Sequence, residues 1–190
     1  MARDKKLQKK TQREIDKVLR TAGCDGVTYD LLSKMKYVEC CIDETLRKYP
    51  AVHFLLRSAV KDYKVENTEC TVPKGTQIII PLMGLHRDPE IFENPLEFKP
   101  ERFLNSNVGG GKSPGSFYLP FGAGPRTCIA SRMGKLTTKI ALVSILSKFN
   151  LKLADKVLED ELEFQAAAYV LIPKHKLNIK FSTRSSKKKH

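Results

Sequence analysis

Residues 120–134 read PFGAGPRTCIASRMG, and no other stretch of the chain restricts the fold as tightly. Gly122 and Gly124 let the backbone bend where a side chain would clash, or come close to a flat ligand. Arg126 stands two residues before Cys128, so its guanidinium can face a carboxylate near the thiol. A helix-forming run follows immediately, and the dipoles at a helix N-terminus favour thiolate over thiol. An isolated free cysteine is most often a small buried hydrophobe. These neighbours argue instead for a loop that holds a thiolate beside a bulky, anionic group. A haem has that character, since its iron accepts an axial thiolate and its propionates accept arginine.

The 190 residues suffice for one domain with a real core, or for a large part of a bigger one. A net charge of +13 favours an acidic partner: another protein, an anionic membrane surface or nucleic acid. Part of that excess lies in the runs DKKLQKKTQR and RSSKKKH, and residues 182–190 read as a disordered basic tail. Five cysteines, none in a C-x-x-C pair and none after a secretory signal, argue for a reducing compartment rather than a disulfide framework. The opening MARDKKLQKK has no hydrophobic region, and no apolar run approaches a membrane span. SNVGGGKS ends like a phosphate-binding loop, but Ser106 stands where glycine is required and no strand precedes it, so nucleotide binding is not expected.

The periodicity predicts a helix over 4–20 and a second from Thr28 to Pro50, with Met35, Val38, Ile42, Leu46 and Tyr49 as its apolar stripe. Strands are expected over 54–60 and 78–80, with VPKGT as a turn between them. HRDPEIF reads as a helix start, Asp88 capping and Pro89 at the first position. Residues 104–120 read as loop. A helix over 131–149 is expected to bury Met133, Leu136, Ile140, Val143, Ile145, Leu146 and Phe149. FNLKLA, AYVLIP and KLNIKF read as short strands. The fold class is mainly α with small β-sheets. On periodicity Glu44 and Arg47 lie opposite the apolar stripe, as a solvent-facing pair worth a few tenths of a kcal/mol.

Three motifs carry a resemblance. FGAGPRTCIA matches the haem-ligand loop F-G-x-G-x-R-x-C-x-G/A of the cytochromes P450 position by position. ETLR, Glu44 to Arg47, resembles that family's E-x-x-R, and FKPERF resembles its P-E-R-F stretch. Their order and spacing agree, and the similarity covers residues 1–181. It is closest to animal microsomal members, arthropod ones among them.

The resemblance implies the C-terminal portion of the P450 fold, from the J helix onward: K helix, meander, haem-ligand loop, L helix and a terminal β hairpin, in one domain over 1–190. It implies haem b (iron protoporphyrin IX) as cofactor, with Cys128 as axial ligand and Phe121, Gly122, Gly124, Arg126, Ala130 and Arg57 around it. Arg57 and Arg126 would meet the propionates; from residue type alone Arg57 is a strand-edge charge. Ala130 stands where glycine is commoner. Glu44, Arg47 and Arg102 would form a buried triad locking the meander behind the loop. Val52, Leu55, Tyr169 and Val170 would line an apolar pocket. The implied activity is O2-dependent hydroxylation of an apolar small molecule. Electrons would come from NADPH through a cytochrome P450 reductase docking near Arg132, Lys135 and Lys139. The implied location is the cytosolic face of the endoplasmic reticulum membrane, reached through an N-terminal anchor; nucleic acid is not an expected partner. Anchor, early helices and the oxygen-activating I helix are expected to lie outside these residues, so the chain alone is expected to be inactive. The alternatives are a truncated non-catalytic product and a basic interaction domain.

Overall fold

A computed structural model describes residues 1–22, 27–104, 117–154, 162–165 and 168–184. The first helix, α1, spans Lys5–Ala22. Asp4 caps it, its carboxylate accepting from the backbone N–H groups of Lys6 (2.7 Å) and Leu7 (3.0 Å). Its inward face carries Leu7, Thr11 and Ile15, and also two buried amides, Gln8 and Gln12.

The single helix expected from Thr28 to Pro50 is two. Thr28 caps α2 (Tyr29–Lys34), and α3 (Lys36–Lys48) follows after Met35 leaves helical geometry at φ −87°, ψ 75°. The break is stabilised from outside the segment. The Glu14 carboxylate on α1 accepts from the N–H groups of Tyr37 and Val38, each at 2.9 Å, satisfying donors that a helix start leaves open. Met35 itself is fully buried, packing with Ile15, Leu32, Val38 and Ile42.

Strand β1 (Leu55–Ser58) pairs antiparallel with β4 (Gln77–Ile80), Leu55 opposite Ile80 and Arg57 opposite Ile78. Between them lies a two-residue ladder, β2 (Tyr63–Lys64) with β3 (Thr71–Val72), too short for alternation to announce it. The VPKGT turn closes with Thr76 N–H donating to Pro73 O, Gly75 taking φ +87°. One helical turn, α4 (Leu82–Leu85), follows β4. The helix expected at HRDPEIF is only a turn. Asp88 does accept from Glu90 N–H (2.8 Å), but the chain then turns irregularly through Asn94 at φ +47° while Phe92 plugs a cluster with Cys40, Phe103 and Tyr118. Most of the loop expected over 104–120 lies outside the described residues.

The last helix, α5, spans Ser131–Lys148. Val143 and Leu146 join the α1–α3 core, but Met133 (66% exposed) and Ile140 (42%) do not, correcting the expected buried side. The helix is apolar on more than one side, and the face that packs is the row Lys139, Val143, Leu146, with Lys139 held by Glu39 at 3.1 Å. Strand β5 (Phe149–Leu153) continues from it and pairs antiparallel with β6 (Ile179–Thr183). That strand runs into the expected disordered tail. Ser182 and Thr183 pair with β5, and Arg184 donates to Asp16 on α1 and to the carbonyls of Leu146 and Ser147; residues 185–190 are outside the described set. AYVLIP forms no strand, only isolated bridges from Val170 to Val52 and from Pro173 to Phe164. Gln8 and Leu151 exchange two hydrogen bonds, side chain to backbone, tying α1 to β5.

Candidate functional site: the Cys128 loop and the ion cluster behind it

Glu44 and Arg47 on α3 are both fully buried, correcting the solvent-facing pair that periodicity suggested. Their contact is bidentate: Arg47 Nε to Glu44 Oε2 at 2.8 Å and Arg47 Nη2 to Oε1 at 2.9 Å. Arg102, in the 3₁₀ turn Pro100–Phe103, reaches the same carboxylate, its Nε lying 3.2 Å from Oε1 and 3.1 Å from Oε2. Lys99 N–H completes the shell at 2.8 Å. One carboxylate thus meets two guanidiniums and a backbone donor.

The remaining donors of these cations organise irregular backbone. Arg47 donates to the carbonyls of His86 (2.7 Å), Pro95 (2.8 Å) and Glu97 (3.3 Å), and its guanidinium lies 5.2 Å from the Phe92 ring centroid. Arg102 donates to Glu93 O (3.2 Å) and Lys48 to Leu96 O. A turn-rich segment cannot satisfy its own carbonyls when buried; here side chains of α3 and the 3₁₀ turn do so. Glu101 anchors the same turn to α1 and α3, accepting from Lys10 (2.6 Å) and Tyr37 Oη (2.8 Å). Burial pushes its carboxyl up, but these two bonds outweigh that and hold it low.

The Cys128 loop leaves this cluster through Tyr118, whose hydroxyl donates to Asp43. Leu119 N–H donates to His86 Nε2 at 2.9 Å. Gly122 N–H donates to Leu119 O (3.0 Å), and Cys128 N–H reaches back across the loop to Phe121 O (2.9 Å). Gly122 and Gly124 take φ +76° and +73°, the left-handed region. A 3₁₀ turn over Gly124–Arg126 follows. Cys128 and Arg126 are exposed, and α5 starts after the Ile129–Ala130 turn. The other described cysteines are free too. Cys40 and Cys41 are buried, and burial pushes their thiols up to about 11 and about 12, so they are protonated and inert at neutral pH.

Strand β1 lies against the loop. A Cβ at Gly122 would stand 3.4 Å from Arg57 Nη2 and 3.8 Å from Leu55 Cδ1. Arg57, Leu55 and the glycine bend are therefore one local surface. Val52 bridges Val170, Leu171 N–H donates to Ala51 O (2.9 Å), and the Tyr169 ring packs edge-on to Phe54 at 5.5 Å. So Val52, Leu55, Tyr169 and Val170 come from two segments that meet beside β1. A separate apolar cavity of about 570 Å³ lies between α1, α3 and α5; its wall includes Phe121 but not Cys128, Arg57 or Arg126. Gly122→Ala is expected to destabilise the chain by about 1–2 kcal/mol through its positive φ and to shift Arg57; urea unfolding reads the first effect.

Two cations expected to meet a reductase are internally engaged. Lys139 is buried against Glu39, and Lys135 pairs with Asp43 at 2.5 Å; Arg132 is exposed. Sequence reasoning missed Glu14, Asp43 and His86, because each acts on residues distant in sequence.

A family model described as Cytochrome P450 matches residues 1–181. The chain belongs to the cytochrome P450 family. It is 41% identical over 188 residues to "Probable cytochrome P450 6d4" of Drosophila melanogaster, covering 98% of this chain and 35% of that protein. It is 43% identical over 189 residues to "Cytochrome P450 6d3" of Musca domestica, covering 97% and 35%. To "Cytochrome P450 6B2" of Helicoverpa armigera it is 39% identical over 168 residues, covering 88% and 32%. The chain spans about a third of the length of these insect relatives.

Proposed function

We propose that the chain is the haem-ligating portion of a P450 monooxygenase, with Cys128 as the axial ligand. The observation that carries this is the loop itself: an exposed thiol at the end of a glycine bend, with Arg57 packed against the bend and Arg126 exposed within it. The donor set fits a haem. A soft thiolate suits iron, the two guanidiniums suit propionates, and at Gly124 a Cβ would meet nothing within 4 Å, which leaves the backbone there open to a flat ring. When bound, a thiolate-ligated haem supplies oxygen activation and favours O–O cleavage. The chain's own part is to present the sulfur, fix the loop through Phe121 O and Leu119 N–H, and hold the anionic edge.

In this reading α3 is the K helix, the 86–104 segment the meander, α5 the L helix and the β5–β6 ladder part of the C-terminal β structure. The apolar surface of Val52, Leu55, Tyr169 and Val170 supports an apolar small-molecule substrate. Family membership supports NADPH as the electron source, through a reductase. It also supports an endoplasmic reticulum location; among the described residues no helix is long and apolar enough to cross a membrane. Turnover by the 190 residues alone is not expected.

The test is reduction of the haem-reconstituted chain under carbon monoxide. The wild type is expected to show the strongly red-shifted Soret band of a thiolate haem, and Cys128→Ser to lose it. The band persisting in Cys128→Ser would overturn the assignment. Haem uptake without the band would favour a non-catalytic product. No uptake, with salt-sensitive nucleic-acid binding, would favour a basic interaction domain.

A further inference from the structure

We propose that His86 is a positioning residue that fastens the Cys128 loop to the Glu44–Arg47 cluster. Its consequence at the iron rests on the haem-thiolate reading; its hold on the loop does not.

His86 is fully buried just beyond α4, and it touches both systems. Its carbonyl accepts from Arg47 Nη1 at 2.7 Å, while its ring nitrogen Nε2 accepts from Leu119 N–H at 2.9 Å. The ring is held by Tyr118 (centroids 5.5 Å apart) and Phe92 (6.2 Å). Because Nε2 accepts, the neutral ring must carry its proton on Nδ1. That Nδ1 is buried and makes no well-formed hydrogen bond, the backbone of Arg47 alone favouring its proton. A buried donor so poorly satisfied is costly, and an apolar ring of the same shape would avoid it. What the apolar ring would lack is the acceptor for Leu119. From Leu119 the path to the cysteine is short: Leu119 O accepts from Gly122 N–H, and Phe121 O accepts from Cys128 N–H. The imidazole therefore fixes the loop's first residue, and two backbone bonds carry that position to the sulfur's own residue.

Three variants of the full 190-residue chain test this. His86→Phe keeps the ring and removes the acceptor. His86→Gln places Oε1 near the position of Nε2 and keeps it. Should the Phe variant not fold, His86→Asn, whose oxygen falls short of Leu119, replaces it. Without haem, His86→Phe is expected to speed amide exchange at Leu119, Gly122 and Cys128 roughly tenfold, the scale of an unsatisfied buried donor. Amides in α3 and α5 should be unchanged, and His86→Gln should restore protection. With haem, reduced and under carbon monoxide, the Phe variant is expected to lose red-shifted band to a shorter-wavelength form faster than wild type, and the Gln variant to match wild type. Unchanged loop exchange in the Phe variant, a rise spread equally over α3 and α5, or a Gln variant as impaired as Phe would overturn the assignment. A wild-type chain with no thiolate band would instead sink the haem reading, while the exchange measurement still decides what His86 holds.

Discussion

Glu44→Ala is expected to remove about 3–5 kcal/mol of stability, the cost of leaving a buried charge without its partner. Such a loss is a large fraction of the about 5–15 kcal/mol typical of a domain, so the variant's urea midpoint should fall sharply. Deleting the carboxylate leaves Arg47 fully buried with only carbonyl acceptors, orphans Lys99 N–H and frees Arg102. Arg47→Ala should cost as much, since it strands Glu44 and also the carbonyls of His86 and Pro95. Arg102→Ala should cost less. Its side chain keeps 11% exposure, and its Nη2 already lacks a partner. Urea unfolding of the three variants checks the order; an Arg102 variant as unstable as Glu44→Ala would contradict it.

Acid is expected to be the second large perturbation. Burial holds the His86 imidazole down at about 4, against an ordinary value of 6.5, with a backbone contact to Arg47 opposing the shift and the Arg47 charge adding to it. The unfolded chain therefore binds a proton at His86 between those values and the folded chain does not. Stability from this group is complete above pH 6.5, falls as pH drops through the window, and is lost by about pH 4. The integrated effect is about 3 kcal/mol. The groups facing the ring are Arg47 from α3 and Tyr118, with Glu44 and Asp43 behind them. Carboxylates elsewhere, Glu101 among them, add their own acid sensitivity. The measured quantity is therefore a difference: wild type should lose about 3 kcal/mol more than His86→Gln between pH 6.5 and 4. Parallel curves for the two proteins would contradict it.

The loop was legible because its chemistry is local. Two glycines, an arginine and a cysteine within seven residues need no knowledge of the rest of the chain. Periodicity misread Glu44 and Arg47 because it assumes a helix with one wet face. Around α3 the buried set includes Tyr37, Val38, Cys40, Cys41, Ile42, Asp43, Glu44, Arg47 and Lys48, which is nearly all round. The family pattern, rather than the apolar stripe, pointed to the buried side. The break at Met35 could not be read either, because the group that stabilises it, Glu14, sits on another helix. The same holds for Gln8 and Gln12. In sequence they are ordinary polar positions of a basic helix, yet they bond β5 and the end of α5. His86 is the extreme case, since its whole role depends on a loop more than thirty residues away.

Iron-edge X-ray absorption of the haem-loaded chain tests the central claim most directly, because it reports the atoms bonded to the metal. A sulfur scatterer in the first shell of the wild type, absent from Cys128→Ser, is the predicted result. A first shell of nitrogen and oxygen alone in the wild type would contradict it.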